Sequence, residues 1–178
     1  MKISTERLIL RRWKSDDAEP YALLSSDPDV TAWLGRGPMS TIEAGQALDQ
    51  CEAHFDEYGF GLWAVERAVD GVLIGQCGLR HMLSRNHPMT PSVEFSWRLG
   101  RFAWGQGYMT EAARGALEDG FQRVGLHRVH AWTAATNIRS QQVMHRIGMQ
   151  RAEALDFDHP ALAPDHPLRR HVVYCAER

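Results

Sequence analysis

Hydrophobic and polar residues alternate along some parts of the chain and recur at helical spacing along others. Every-second-residue patterns predict strands at residues 7–13, 62–66, 72–79, 92–99, 128–134, 149–155 and 171–176. Three- and four-residue spacings predict helices at 16–24, 41–58, 109–124 and 138–147. Loops are predicted at 80–91 and 156–170. This order of elements predicts a mixed α/β (α+β) fold with a largely antiparallel sheet.

Capping and turn residues support several of these boundaries. Asp16-x-x-Glu19 has the pattern of a capping box ahead of the first helix, and Ser40-x-x-Glu43 has a stronger one ahead of the second. Asp70-Gly71 lies between two apolar strand patterns and predicts a tight hairpin.

The segment from Trp104 to Ala112 is the most informative part of the sequence. Its glycine-rich turn, Gly105-Gln106-Gly107-Tyr108, separates a strand pattern from a helix pattern and contains no Ser, Thr, Asp or Asn to cap the helix. The first amides of that helix therefore lack a side-chain acceptor, and such a helix start is suited to bind an anion such as a pyrophosphate. An ordinary tight turn without a ligand is the alternative interpretation.

Two well-known phosphate-binding motifs do not fit this turn. A Walker loop ends in Gly-Lys-Ser/Thr, which the chain lacks. A dinucleotide fingerprint requires a third glycine where Thr110 stands, and an acid at the end of the strand at 128–134, which has none.

Composition limits the class of protein and its partners. The length of 178 residues predicts a single domain spanning 1–178. A formal net charge of -2 argues against binding to nucleic acid or to an anionic membrane surface. No secretory pattern follows Met1 and no apolar run is long enough to span a membrane, so a cytoplasmic location is expected. Histidines and cysteines lack metal-ligand spacing, so no metal is expected.

The combination of motifs resembles the GCN5-related N-acetyltransferase (GNAT) family. The residues that carry the resemblance are Glu94, the segment from Trp104 to Ala112, Asn137-x-x-Ser140 and Ile147-Gly148-Met149. Residues 5–11 and 27–30 are similar to the branch of ribosomal-protein N-terminal acetyltransferases of the RimJ/RimL type. The resemblance implies an acyl-CoA N-acyltransferase fold, with a mixed sheet splayed open at the cofactor site and helices on both faces.

The resemblance also implies where acetyl-CoA, the acetyl donor, is bound. The glycine-rich turn would hold its pyrophosphate, backbone N–H groups near Leu99 would polarise its thioester carbonyl, and Asn137 would bond its pantetheine arm. The predicted cofactor-binding residues are Leu99, Trp104, Gly105, Gln106, Gly107, Tyr108, Met109, Thr110 and Asn137.

Glu94 and Ser140 are the predicted catalytic residues. A carboxylate with a reference pKa near 4.3 is a weak base for a lysine near 10.4, but it is adequate for an α-amine near 7.7–8.0. Ser140 is the candidate proton donor to the leaving thiolate, because Met144 stands where many relatives carry a catalytic Tyr. The alternatives are a solvated glutamate on a strand and a serine in the first turn of a helix that Asn137 caps.

The predicted acceptor is a primary amine, first of all a protein N-terminal α-amine, acetylated directly in a ternary complex. Asp156 and Asp158 are predicted to attract this cationic amine, with a solvated loop as the alternative. A small-molecule amine (an antibiotic, a polyamine or an amino acid) is a second possibility. A catalytically silent acyl-CoA-binding module is a third, because Phe102 stands where most relatives carry Gln or Arg. The state of assembly is left open between monomer and homodimer.

Overall fold

The computed structural model describes residues 1–33 and 37–178. Within these residues nine strands form one sheet in the order β1-β2-β3-β4-β5-β6-β9-β7, and β8 pairs with β9. The strands are β1 (Lys2–Ser4), β2 (Leu8–Arg11), β3 (Leu62–Arg67), β4 (Leu73–Met82), β5 (Ser92–Leu99), β6 (Arg128–Ala134), β7 (Gln150–Arg151), β8 (Phe157–Asp158) and β9 (Arg170–Glu177). The α-helices are α1 (Ala18–Leu24), α2 (Pro28–Thr31), α3 (Thr41–Tyr58), α4 (Tyr108–Gln122) and α5 (Ile138–Arg146). No helix of the described residues has the length and apolar character needed to cross a membrane.

The start of α3 confirms the stronger capping prediction. The Ser40 hydroxyl accepts a hydrogen bond from the Glu43 amide at 3.2 Å, and the Glu43 carboxylate accepts one from the Ser40 amide at 2.8 Å. The helix ends at Gly59, whose φ of 74° lies in the left-handed region that favours glycine. The predicted hairpin at Asp70-Gly71 is also present, with Gly71 at a φ of 70°.

The predicted capping box at Asp16 and Glu19 is wrong. The chain forms a short 3-10 helix at Ser15–Asp17 instead, and no side chain caps α1. The Asp17 carboxylate accepts a hydrogen bond from the Lys14 amide at 2.8 Å and is paired with Arg11 at 2.7 Å. Asp17 is therefore held in place by a tertiary ion pair that local spacing does not reveal.

Several short elements differ from the sequence prediction. β1, β8 and α2 were not predicted, and β4 continues to Met82 into the segment predicted as a loop. The predicted strand at 149–155 is reduced to β7, followed by a 3-10 helix at Glu153–Leu155. Strands of two or three residues are too short to show an alternation of hydrophobic and polar residues. They form because they pair with a neighbouring strand, so the sequence pattern did not predict them.

The sheet opens between β5 and β6, as predicted. These strands are parallel and pair only at Glu94–His130. By contrast, β4 and β5 are paired from Gly75–Leu99 to Met82–Ser92. Beyond Glu94 the edge of β5 therefore has no strand partner on the β6 side, and the sheet leaves room for a ligand.

Helices cover both faces of the sheet, and β5 presents alternate residues to them. On one face α4 lies over a core that includes Phe95, Trp97 and Leu99. On the other face, Arg98 donates a hydrogen bond to the Tyr21 hydroxyl of α1 at 3.2 Å. Consecutive side chains of a strand point to opposite faces of the sheet, so Glu94, next to Phe95, faces the α1 side as Arg98 does.

Candidate active site

A cleft of about 860 Å³ lies where β5 and β6 separate. It is bounded by these strands, by the glycine-rich turn and by the first turns of α4 and α5. Most of the sequence-predicted site residues line it, namely Glu94, Leu99, Trp104, Gly105, Gly107, Tyr108, Met109, Thr110, Asn137 and Ser140. Gln106, Asp156 and Asp158 are not among the lining residues. The turn forms one end of the cleft, here called the cofactor end.

The glycine-rich turn has the backbone conformation that glycine alone adopts easily. Gly105 and Gly107 have φ values of 74° and 78°. Gly107 is the N-cap residue of α4, and in the described part of the chain no side chain caps the start of the helix, which confirms the predicted uncapped start. Its carbonyl accepts the Glu111 amide at 3.1 Å, so the amides of the preceding turn remain available as donors. Such an array fits a pyrophosphate group.

The turn is braced by the N-terminal segment of the chain. The Glu111 carboxylate accepts hydrogen bonds from the Thr5 hydroxyl at 2.6 Å and from Arg7 Nε at 2.7 Å. Arg7 also donates to the Gln106 carbonyl at 3.0 Å. Burial alone would raise the pKa of Glu111, but the hydrogen bonds from Thr5 and Arg7 outweigh it and hold the pKa below its ordinary value. Gln106 thus contributes its backbone carbonyl to the brace. Its side chain does not line the cleft, and its amide donates a hydrogen bond to the Phe102 carbonyl at 3.2 Å.

Two arginines add positive charge at the cofactor end. Arg139 lies with its guanidinium carbon 4.5 Å from the centre of the Trp104 ring, and Arg146 on the same helix also lines the cleft. Trp104 is itself fixed by a hydrogen bond from its indole nitrogen to the Leu99 carbonyl at 3.0 Å.

Asn137 and Ser140 are placed together at the start of α5. The Asn137 side chain caps the helix by accepting the Ser140 amide at 3.3 Å, and it donates to the Thr133 hydroxyl at 2.9 Å. Asn137 is therefore a buried N-cap that also lines the cleft. The Ser140 hydroxyl has no hydrogen-bond partner within residues 1–33 and 37–178. Met144 is buried in the core below.

Glu94 is buried and held by an ion pair. It is 7% exposed, and its carboxylate lies 2.6 Å from Arg80 Nε on the neighbouring strand. Burial would lower the pKa of Arg80, but the Glu94 carboxylate outweighs this and keeps the pKa above its ordinary value. Glu94 stands at the last paired position of β5 before the sheet opens. The alternative of a solvated glutamate does not describe this site.

An aromatic and imidazole wall, here called the histidine wall, lies beside β6 and β9 and lines part of the cleft with four of its rings. Its members come from separate segments of the chain, namely His87, Trp132, Phe157, His159 and His171. The ring centres of His87 and Trp132 are 5.0 Å apart, and those of His159 and His171 are 5.1 Å apart. The part of the cleft beside this wall, on the β6 and β9 side, is here called the acceptor end.

The histidines of the wall are neutral near pH 7. Burial lowers the pKa of His87, His159 and His171 below the ordinary value of 6.5. For His87 the nearby Glu94 acts in the opposite direction, while His159 and Arg80 lower the pKa further. Among the residues that the structure describes, no group of three or more His, Cys, Asp or Glu is arranged to hold a metal ion.

The two aspartates predicted to bind the acceptor do not line the cleft, and both form ion pairs with arginines. The Asp156 carboxylate is paired with Arg151 at 2.5 Å and accepts the Val173 amide at 3.0 Å. Asp158 lies 3.5 Å from Arg170. The charges that were expected to attract a cationic amine are therefore compensated within this loop, and the geometry does not support that role for either residue.

Sequence reasoning did not find the Arg7–Glu111 brace or the histidine wall. Arg7 and Glu111 both stood in the motifs that carried the resemblance, but their contact spans the fold. His87 and His159 lie in segments predicted as loops, where isolated histidines carry no spacing signal. The pairing of β8 and β9 could have been suspected only from Phe157, an aromatic residue within a polar segment.

The splayed sheet and the uncapped start of α4 define an acyl-CoA N-acyltransferase. The family profile described as "Acetyltransferase (GNAT) domain" matches residues 7–150. The chain belongs to the GNAT family and is an acetyltransferase enzyme, as the motifs predicted.

Individual relatives agree with this assignment. The uncharacterized N-acetyltransferase YoaA of Bacillus subtilis (strain 168) is 29% identical over 154 residues, which cover 86% of this chain and 85% of YoaA. The crystal structure of a GNAT-family acetyltransferase from Bacillus anthracis has a TM-score of 0.81 and 23% identity, covering 99% of this chain and 98% of that one. RimL, a ribosomal L7/L12 alpha-N-protein acetyltransferase solved in complex with coenzyme A, has a TM-score of 0.79 and 14% identity, with coverage of 99% and 98%.

Proposed function

We propose that this enzyme transfers an acetyl group from acetyl-CoA to a protein N-terminal α-amine, by direct attack in a ternary complex. The observation that carries the proposal is a single cleft that joins the uncapped start of α4 to the buried Glu94 and the histidine wall. Acetyl-CoA supplies the thioester acetyl group. The amides of Gly107 to Thr110 would hold its diphosphate, and Arg139 and Arg146 would add to the favourable field.

Glu94 and Ser140 have positions that suit their proposed roles. Glu94 accepts a hydrogen bond from the acceptor amine, directly or through water, and favours loss of a proton from it. Ser140, whose hydroxyl is free to donate, protonates the departing thiolate. A thiol with a reference pKa near 8.5 leaves readily, so we expect this second contribution to be small.

The charges of the cleft support an acceptor with one positive charge over a polyamine. Within the described residues, the acids that line the cleft are Asp29 and Glu94. Asp29 is paired with Arg101 at 2.9 Å, and Glu94 is paired with Arg80. Of these two acids only Glu94 is buried, and it is assigned to the reacting amine, so the described residues that line the cleft offer no second buried acid for another ammonium group. The rings of the histidine wall can pack against the uncharged remainder of a peptide N terminus.

Thiol release from acetyl-CoA tests the proposal. The acceptors are a peptide with a free N terminus and no lysine, the same peptide with a blocked N terminus and one lysine, a polyamine and a free amino acid. We expect the first peptide to have the highest kcat/KM. Equal turnover of the lysine peptide or the polyamine would reject the α-amine assignment. Tight binding of coenzyme A by calorimetry without thiol release from any acceptor would favour the silent module.

A further inference from the structure

The three histidines of the histidine wall differ in the hydrogen bonds that their Nδ1 atoms make. The Nδ1 atom of His87 lies 3.2 Å from the Met89 amide, and that of His159 lies 3.3 Å from the Ala161 amide. A backbone N–H can only donate, so both Nδ1 atoms act as acceptors. In a neutral imidazole the proton must then be on Nε2. His87 and His159 therefore present N–H donors rather than basic nitrogens.

His171 has the opposite tautomer. Its Nδ1 atom lies 3.2 Å from the Arg169 carbonyl oxygen, and a carbonyl oxygen can only accept. Nδ1 therefore carries the proton, and the lone pair of the neutral ring is on Nε2. The ring is held in place by stacking on Phe157, with centres 5.3 Å apart and planes 18° apart.

The Nε2 atom of His171 is open to the cleft. The residue is 8% exposed and lines the cleft. Within residues 1–33 and 37–178 its Nε2 makes no hydrogen bond, yet it is not among the polar atoms that are sealed from solvent without a partner. A basic nitrogen with an accessible lone pair is thus provided at the acceptor end.

The surroundings of His171 keep it neutral near pH 7. Burial lowers its pKa, the Arg169 carbonyl acts in the opposite direction, and His159 and His87 lower the pKa further. Asp158 and Arg170, which adjoin Phe157 and His171 on β8 and β9, are paired with each other at 3.5 Å. A neutral imidazole with a free lone pair on Nε2 can accept a proton at this pH, and this favours His171 as a proton acceptor.

We propose that Nε2 of His171 takes the proton that the acceptor ammonium releases before it attacks the thioester. This inference rests on the proposed acetyl transfer to an amine. The N–H bond of the ammonium breaks and its electron pair stays on nitrogen, while a new N–H bond forms at Nε2. The resulting imidazolium passes this proton to solvent and returns to the neutral form. Glu94, fixed by Arg80, orients the amine through a hydrogen bond, directly or through water.

Substitution of His171 by Asn tests this role. The Asn amide can still donate to the Arg169 carbonyl, but it has no basic nitrogen. We expect kcat/KM for the amine to fall by about 10²–10⁴-fold, with KM for acetyl-CoA and the melting temperature little changed. The acid limb of the pH–rate profile that belongs to His171 should disappear. Titration of the amine itself is common to wild type and variant, so the difference between the two profiles isolates the histidine.

His159→Asn is the matched control, because it removes a ring of the same wall with the opposite tautomer. We expect it to raise KM for the acceptor and to keep the acid limb. The proposal is overturned if His171→Asn keeps the wild-type rate and acid limb, or if His159→Asn loses the limb equally. Added imidazole should partly restore activity to His171→Ala, and failure to do so while the variant still binds coenzyme A also counts against the proposal.

The tautomers can be observed without turnover. In the ¹⁵N-labelled protein, the imidazole signals assigned to His171 should show a protonated Nδ1 at about pH 7, and those of His87 and His159 a protonated Nε2. A protonated Nε2 on His171 would reject the inference even in an active enzyme. If the wild-type protein acetylates no amine, the proposed function fails, whereas an active wild type with an unaffected His171→Asn variant rejects only the role of His171.

Discussion

The two ends of the cleft are built in different ways. At the cofactor end the groups proposed to bind the ligand are mainly backbone amides, placed by the left-handed conformations of Gly105 and Gly107. At the acceptor end they are side chains, brought together from segments as distant as His87 and His171. A site made of backbone donors depends on a local conformation, whereas a site made of side chains depends on the whole sheet being in register.

Under the proposed function, this difference separates the part of the site that holds acetyl-CoA from the part that selects the acceptor. An amide array binds any diphosphate and tolerates changes in the side chains around it. A wall of rings selects by shape and by the position of each proton, so a single substitution can change which amine reacts. Four predictions test the distinction.

The largest effect is expected at the boundary between the two ends. Glu94→Gln removes the carboxylate that accepts a hydrogen bond from the amine, so kcat should fall by about 10²–10⁴-fold. The dissociation constant of coenzyme A by calorimetry should stay unchanged, because the amides of the turn are untouched. Glu118→Gln, on the exposed side of α4, is the control and should match the wild type. An unchanged rate and pH–rate profile in Glu94→Gln would remove Glu94 from the mechanism.

Gly107→Glu should damage the cofactor end alone. The backbone strain of a non-glycine residue in the left-handed region, about 1–2 kcal/mol, is present in the free and the bound protein alike. A carboxylate about 4 Å from a phosphate charge weakens binding itself, by up to about 4 kcal/mol at an effective dielectric constant near 20. We expect coenzyme A to bind about 10²–10³-fold more weakly by calorimetry. Gly107→Ala shares the backbone strain without the charge and should cost less than about tenfold. Wild-type affinity in the glutamate variant would place the cofactor elsewhere.

As the pH falls, the acceptor end should lose stability before the cofactor end does. The pKa values of His87, His159 and His171 are lowered in the folded protein, so below the ordinary value of about 6.5 the unfolded chain binds more protons. Their contribution to stability is complete above about pH 6.5 and is lost as the pH falls, by up to about 1.4 kcal/mol per pH unit for each proton. The lowered pKa of Glu111 keeps the brace intact until its ordinary range, near pH 4.5, is reached.

Hydrogen exchange, corrected for its intrinsic pH dependence, measures this order of events. Between about pH 7 and about pH 5, residues 157–159 and 170–177 should lose protection while residues 104–112 keep theirs. Earlier loss at the glycine-rich turn would contradict the prediction.

The smallest effect is expected for Ser140→Ala. Its hydroxyl would protonate a thiolate whose reference pKa near 8.5 already makes it a good leaving group, so kcat should fall by less than about tenfold. The helix cap should survive, because Asn137 accepts the Ser140 amide and not its hydroxyl. A loss comparable to that of Glu94→Gln would make thiolate departure the difficult step.

The same contrast explains how much could be read from the sequence. The Ser40 capping box and the uncapped turn at Gly107 are local, since each is completed within a few residues, and both were predicted correctly. The opening of the sheet followed from the resemblance to the family and was confirmed by the single pair of β5 and β6.

The features that the sequence did not predict depend on tertiary contacts. The capping box assigned to Asp16 failed because Arg11 fixes Asp17. The ion pair that holds the buried Glu94 depends on Arg80 lying opposite it on the neighbouring strand. The tautomer of His171 depends on the Arg169 carbonyl, whose position is set by the start of β9.

The single pair between β5 and β6 also has a mechanical consequence. At Glu94–His130 the sheet behaves as two panels joined at one point, with β1 to β5 on one side and β6 to β9 on the other. A molecule bound in the gap contacts both parts of the sheet and takes the place of the hydrogen bonds that β5 and β6 do not make to each other. Resistance to unfolding should then follow the supply of donor, by about 2.7 kcal/mol when its concentration is 100 times the dissociation constant. Part of the stability of the folded enzyme should therefore come from the bound acetyl donor.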